Sequence, residues 1–347
     1  MSVKEYRESL AQAILDLLWR QWGQLGVLGS AAGNAAQMVL DPEALLVFTA
    51  WFGRNDQRLY DAAAAWLVRY SRLVSLPRLK AVCRKARVKD TRSLGYMASL
   101  VAEHGGGSGS WARLAAAWMP ETHALRNMAM EPMFTAFADV VEADARAAEF
   151  GFQRNMFLLE ERKVAPGLPR GAATLLLTLR GHVGCTARAE MLLLLLLSPC
   201  CRLQELVDGS GYARASVYEA VGELLLGQVV ERHALAARGG EYSLRNAQGW
   251  RSLLDTPPHC SFPRWNCLYD ALGLLWNCIS NPRLETLSEQ TFHGELRRVM
   301  DSAARRMFLH AGIPDLARMD ADCVRDLPRL LRELPRTTAG TGAPASA

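Results

Sequence analysis

The 347-residue sequence lacks several features that would assign a protein to a class directly. It has no CxxC pair, and its eight cysteines are irregularly spaced, which argues against a zinc ribbon or a disulfide scaffold. Its longest apolar run, "MLLLLLL" at residues 191–197, is far shorter than the about 20 residues of a membrane span. Reduced thiols, charges throughout the first 20 residues and the lack of a long apolar run predict a cytoplasmic protein without a membrane segment.

Charge of one sign and catalytic motifs are also scarce. The net charge is only +5, and half of the residues are apolar, as in a globular chain with a full core. "HGGG" at 104–107 has no GxSxG partner, and "GSAAGNAA" at 29–36 lacks the lysine of a phosphate loop. His259, Cys260 and Cys267 lack the paired short spacings of zinc ligands. We therefore expect no catalytic residues, no metal and no cofactor, and hence no enzyme.

Helical patterns dominate what is present, so the predicted fold class is mostly α. Residues 1–165 read as a helical domain with a sensing or assembly role. Asp41 and Asp90 are expected to cap the beginnings of helices, and Pro42 is expected at a first helical position. "KVAPGLPRG" at 163–171 is the best candidate for a domain boundary. We expect a second unit at 172–250, a C-terminal helical segment at 257–334 and a disordered tail at 335–347.

The most informative pattern lies between residues 187 and 244. Three short helical segments come first, and Gly211 stands between the second and the third, where a sharp turn favours glycine. The period then changes, because "QVVERHAL" and "EYSL" alternate like two strands, with 236–240 at their hairpin tip. This stretch resembles the winged helix-turn-helix domain of bacterial transcription regulators, broadly of the MarR-like and ArsR-like kind, over about residues 187–245.

The resemblance implies that the third helix enters the major groove of double-stranded DNA and that the two-stranded β-hairpin wing touches the backbone or minor groove. The residues carried over to these roles are Arg202, Arg214, Ser216, Tyr218 and Arg238. Residues 180–251 hold eight arginines against seven acidic residues. A domain so close to neutral would bind phosphates weakly alone, so we expect a dimer or another basic surface to help.

A candidate for that surface is the stretch 69–92, which has nine basic residues and one acidic one. Its pattern predicts a helix, a turn and a helix, so 69–104 could form a degenerate second helix-turn-helix; a solvated basic face of a helical domain is an equal alternative. The expected backbone contacts are Arg78, Lys80, Arg84, Lys85, Arg87 and Lys89.

The sequence thus predicts a DNA-binding transcription regulator, a repressor acting as a homodimer. The alternative is a winged-helix adaptor without catalytic activity, which binds a protein partner from the same operon in a toxin-antitoxin or phage-defence system. Near-neutral charge keeps this second interpretation open.

Overall fold

A computed structural model describes residues 2–29, 37–105, 109–121, 129–136, 139–234, 240–286, 288–319 and 323–334. The chain is mostly helical, which confirms the predicted class, and its few strands are short. None of the described helices is long and apolar enough to cross a membrane. The predicted tail at 335–347 lies outside the described residues.

The helices fall before and after residue 170 in the chain. Those before residue 170 are α1 (Val3–Gln24), α2 (Pro42–Phe52), α3 (Gln57–Tyr70), α4 (Leu76–Lys85), α5 (Thr91–His104), α6 (Gly109–Trp118) and α7 (Ala145–Glu149). Those after it are α8 (Leu175–Val183), α9 (Ala187–Leu197), α10 (Leu203–Ser210), α11 (Arg214–Leu226), α12 (Ala247–Leu253), α13 (Trp265–Ile279), α14 (Glu289–Val299), α15 (Arg305–Ala311), α16 (Pro314–Ala317) and α17 (Leu327–Glu333). The strands are β1 (Glu131–Pro132), β2 (Phe152–Gln153), β3 (Cys201–Arg202), β4 (Val230–Ala234) and β5 (Gly240–Leu244).

Aspartate side chains cap the beginnings of α2 and α5. The Asp41 carboxylate accepts from the Ala44 amide at 3.0 Å, and Pro42 occupies the first turn of α2. Asp90 accepts from the Ser93 amide at 3.0 Å at the start of α5. Both caps satisfy amides that the helix itself leaves free, and both confirm the predictions from sequence.

The first of two hydrophobic cores is built from both ends of the chain. Its buried side chains lie mainly in residues 3–164 and 265–334, and α1 packs against α13 and α17. The ring of Phe48 stacks on that of Tyr269 with centroids 4.6 Å apart, and the Tyr6 hydroxyl donates to the Val324 carbonyl at 2.8 Å. The predicted N-terminal domain and C-terminal segment therefore share one core.

The second core lies between these two parts in sequence. Apart from Val39, its buried side chains all fall within residues 175–254, on α8 to α11, on the strands β3 to β5, and at Leu254 just after α12. The three strands form an antiparallel sheet in the order β3-β5-β4, with Cys201 opposite Tyr242. The sequence did not predict β3, because two residues carry no readable alternation.

Candidate nucleic-acid interface

A left-handed turn joins α10 to α11. Gly211 has φ +75°, a conformation that favours glycine, and α11 begins three residues later at Arg214. Val217 and Val221, one helical turn apart, are buried on the inner face of α11. The first turn of α11 therefore leaves other side chains facing solvent.

Arg214 and Tyr218 form one polar surface on α11. They are one turn apart, both are exposed, and the Arg214 guanidinium carbon lies 5.5 Å from the centroid of the Tyr218 ring. Arg214 also lies 3.4 Å from the Gln204 amide oxygen and 3.4 Å from the Tyr218 hydroxyl. These bonds are long, so the guanidinium can exchange them for a stronger acceptor at little cost. The sequence did not predict a role for Gln204, although its place on the polar face of α10 could have indicated one.

Ser216 lies on a different face of α11. Two helical positions correspond to about 200° of rotation, so Ser216 points away from Arg214. It is half-buried and lines a groove of about 320 Å³ with Glu219 and Glu223, facing Ser75 and Pro77 at the start of α4. The structure thus separates Ser216 from the two side chains with which the sequence grouped it.

The remaining residues expected on this side lie on the strands. Arg202 is exposed on β3, with Nε 3.4 Å from a Glu241 carboxylate oxygen that partly neutralises its charge. Arg238 falls at the hairpin tip, outside the described residues. Arg232 on β4 was not predicted; it is exposed and has no ion pair among the residues that the structure describes. The hairpin therefore presents a cation close to its tip.

The basic stretch forms a surface on and just after α4. We call the exposed residues the α4 basic surface; they are Lys80, Arg84, Lys85, Arg87 and Lys89. Within the described part of the chain, none of the five forms a salt bridge with a carboxylate. Five unpaired cations within ten residues make a local positive field that the net charge of the chain does not reveal.

Arg78 does not belong to this surface, contrary to expectation. Only 3% of it is exposed, and it forms a two-pronged pair with Asp41, with both nitrogen-to-oxygen distances at 2.6 Å. Its Nη1 also donates to Glu43, and its Nε donates to the Ser210 carbonyl at 2.9 Å. Because its donors are engaged inside the protein, Arg78 is not available to a phosphate.

Arg78 is part of a buried charge cluster that joins the two cores. The cluster holds two guanidiniums and three carboxylates, from Asp41, Glu43, Arg78, Arg180 and Glu190. Burial opposes ionisation of Asp41, but the Arg78 charge outweighs it and holds the pKa of Asp41 below its usual value. Burial raises the pKa of Glu190, and the Arg180 charge offsets only part of that rise.

The cluster went unrecognised from sequence, although a signal existed. Arg180 is the only charge in "LLLTLRG", and Glu190 directly precedes the apolar run of α9, in "ARAEMLLL". A lone charge among leucines is buried when its helix is packed, and it then needs a partner of opposite sign. The sequence alone does not identify Glu43 as the partner of Arg180, because the two residues lie 137 positions apart.

The turn between α10 and α11 is docked on the start of α4. The Tyr212 hydroxyl donates to the Ser75 hydroxyl oxygen at 2.7 Å, beside the bond from Arg78 to Ser210. Pro77 lines both the groove against α11 and a second groove of about 610 Å³ that includes Lys80 and Arg84. The start of α4 therefore lies between α11 and the groove that includes Lys80 and Arg84.

The described residues hold no group of three or more His, Cys, Asp or Glu side chains arranged around a metal position. Burial raises the pKa of the Cys185 and Cys260 thiols to about 11, so both favour the unreactive protonated form. Comparison of the chain with protein-family models, curated proteins and solved structures finds no match in any of the three.

Proposed function

We propose that the chain is a DNA-binding transcription regulator and that residues 187–244 act as its winged helix-turn-helix. One observation carries the proposal. Directly after the left-handed turn at Gly211, α11 exposes Arg214 and Tyr218 on one face, and its other face lies against the start of α4, the helix that carries the α4 basic surface. The order of α9, β3, α10, turn, α11 and the β4–β5 hairpin supports the same interpretation.

In this proposal α11 lies in the major groove. Arg214 donates two hydrogen bonds to a guanine edge, and Tyr218 supports its guanidinium from below. Arg202, Arg232 and Arg238 contact the backbone or the minor groove from the sheet and its hairpin. The α4 basic surface supplies the phosphate contacts that the near-neutral segment 180–251 lacks.

The proposed active form is a homodimer that represses by occupying its site. A single α11 offers one arginine to the bases, so two copies on a palindrome are needed for a selective site. Their reading helices would then lie about 34 Å apart, one turn of DNA. We place the protein in the cytoplasm, where its DNA is.

The test is to recover bound fragments from sheared genomic DNA with the purified chain and to sequence them. We expect a recurrent palindromic motif, bound tightly at low salt and more weakly as salt rises. Arg306→Ala, an exposed arginine on α15, is the matched control and should enrich the same motif. Recovery of fragments without a shared motif would overturn sequence-specific binding.

A second candidate, the protein-interaction adaptor, is favoured by the other face of α11. Glu219 and Glu223 are exposed on that face, where Arg188 pairs with Glu223 at 3.4 Å, and Leu226 at its end is 86% exposed. Such a face suits a protein partner encoded in the same operon better than it suits DNA. A stoichiometric partner that co-purifies with the chain, with no DNA binding at physiological salt, would support the adaptor over the regulator.

A further inference from the structure

A cavity of about 430 Å³ lies where the two cores meet. One wall comes from α4, a second from α10 and the residues just before it, and a third from the segment that leads into α13. Its volume falls within the range of about 300–1,000 Å³ that is usual for small-molecule sites. We call it the junction cavity.

Two cations in the junction cavity have no carboxylate partner. Lys85 at the end of α4 and Arg264 before α13 both line it, both are exposed, and neither forms an ion pair among the described residues. They come from segments that are 179 positions apart in sequence, so only the fold brings them to one space. Together they supply the unpaired positive charges of the lining.

Two carboxylates on α10 lack a cation in the same way. Glu205 accepts from the Arg202 backbone amide at 2.6 Å, and Asp208 accepts from the Gln204 side-chain amide at 2.9 Å. Both donors are neutral, and neither carboxylate forms an ion pair within the described residues. The other charged residues of the lining, Asp41 and Arg78, are paired with each other, so neither needs a charged group from a ligand.

The geometry points to a small zwitterion as the ligand of the junction cavity, and we propose a free α-amino acid. Its carboxylate would lie at Lys85 and Arg264, and its ammonium group at Glu205 and Asp208. A plain anion would be repelled by the two carboxylates, Glu205 and Asp208. A plain cation would be repelled by Lys85 and Arg264.

Occupancy would connect the cores, because the carboxylates belong to α10 and the cations belong to the segments of the first core. A ligand held by both the carboxylates and the cations stabilises the docked arrangement of α10 and α11 relative to any arrangement that opens the cavity. An effect of the ligand on DNA binding rests on the proposed function, whereas binding of the ligand itself does not.

The test measures binding without DNA. Each of the twenty free L-amino acids is screened for a rise in the melting temperature of the full chain, and the best one is titrated by calorimetry. Its N-acetyl derivative lacks the positive charge, and its methyl ester lacks the negative charge. We expect each derivative to bind at least tenfold more weakly than the parent amino acid.

The variant Lys85→Ala/Arg264→Ala should lose at least tenfold in affinity, with an unchanged circular dichroism spectrum because both side chains are exposed and unpaired. The matched control is Lys80→Ala/Arg306→Ala, which removes the same two charges away from the cavity and should bind like the wild type. The proposal is overturned if no amino acid raises the melting temperature, if both derivatives bind as well as the parent, or if the double variant retains full affinity.

Discussion

Arg180 of α8 donates to both carboxylate oxygens of Glu43 in α2, at 2.7 and 3.0 Å, and both side chains are completely buried. Glu43 helps to cap the region before α4 by accepting from the Ser75 amide at 2.7 Å, while Arg180 donates to Glu190 of α9. One ion pair thus holds the first core to the second. Burying an ion pair of this kind is costly, and removing one partner from it leaves the other charge buried without compensation, which is strongly destabilising.

Arg180→Met should therefore destabilise the protein strongly. The substitution leaves Glu43 and Glu190 buried with less positive charge, which costs about 3–5 kcal/mol in free energy of unfolding. Urea-induced unfolding measures this loss. Arg306→Met, which changes an exposed arginine on α15, should stay within about 0.5 kcal/mol of the wild type. A similar small change for Arg180→Met would mean that the cluster contributes little.

Glu190→Gln should instead increase the free energy of unfolding at high pH. The pKa of Glu190 is raised above its ordinary 4.5, so its contribution to stability is fully present below that value and is lost as the pH rises through the raised value. Glutamine keeps an acceptor for Arg180 and places an amide where the second carboxylate oxygen has no partner. We expect the two proteins to be alike near pH 4.5 and the variant to be the more stable at pH 8.

The measurement for Glu190→Gln is the free energy of unfolding at several pH values. Glu219→Gln on the exposed face of α11 is the matched control and should show no growing difference with pH. If Glu190→Gln unfolds more readily than the wild type at pH 8, the two guanidiniums more than compensate for the burial of the Glu190 carboxylate, and its pKa is not raised.

Arg214→Ala should weaken binding to the recovered DNA motif by about 1–3 kcal/mol, because a two-bond contact to guanine is lost. Fluorescence anisotropy with labelled DNA measures this change. Tyr218→Phe keeps the ring beside Arg214 and should cost much less. If Arg214→Ala binds the motif and scrambled DNA as the wild type does, Arg214 does not read bases.

Lys80→Ala/Arg84→Ala should weaken binding to all DNA sequences alike. Two phosphate contacts are removed, so the slope of log affinity against log salt should fall in magnitude by about 2. Lys4→Ala/Arg306→Ala removes the same charges from exposed positions elsewhere and should leave the slope unchanged. Equal slopes for the two double variants would show that the α4 basic surface does not contact DNA.

Local features of this fold were predictable from the sequence, because each depends on a few neighbouring residues. Asp41 and Asp90 signal the start of a helix, and Gly211 signals the left-handed turn. The inner face of α11 follows from the spacing of Val217 and Val221. The sequence therefore located the helices and the turn of the candidate interface, and five of its six expected basic contacts are exposed.

Features that depend on distant partners were not predictable. Arg78 is one basic residue among nine in its stretch, and nothing local distinguishes it. Its partners lie 35 and 37 residues before it and 132 residues after it. For the same reason, the sequence divided 1–165 from 257–334, although Phe48 and Tyr269 pack in one core.

The second core is an insertion within the first, and this has a consequence for the order in which the chain folds during synthesis. When the first 254 residues have left the ribosome, every buried side chain of the second core is present, while α13 to α17 of the first core are still missing. The later-encoded unit can then close before the unit that begins the chain. Until α13 is made, Phe48 lacks the Tyr269 ring that stacks on it, so apolar surface of α2 stays exposed and open to non-native contacts during this interval.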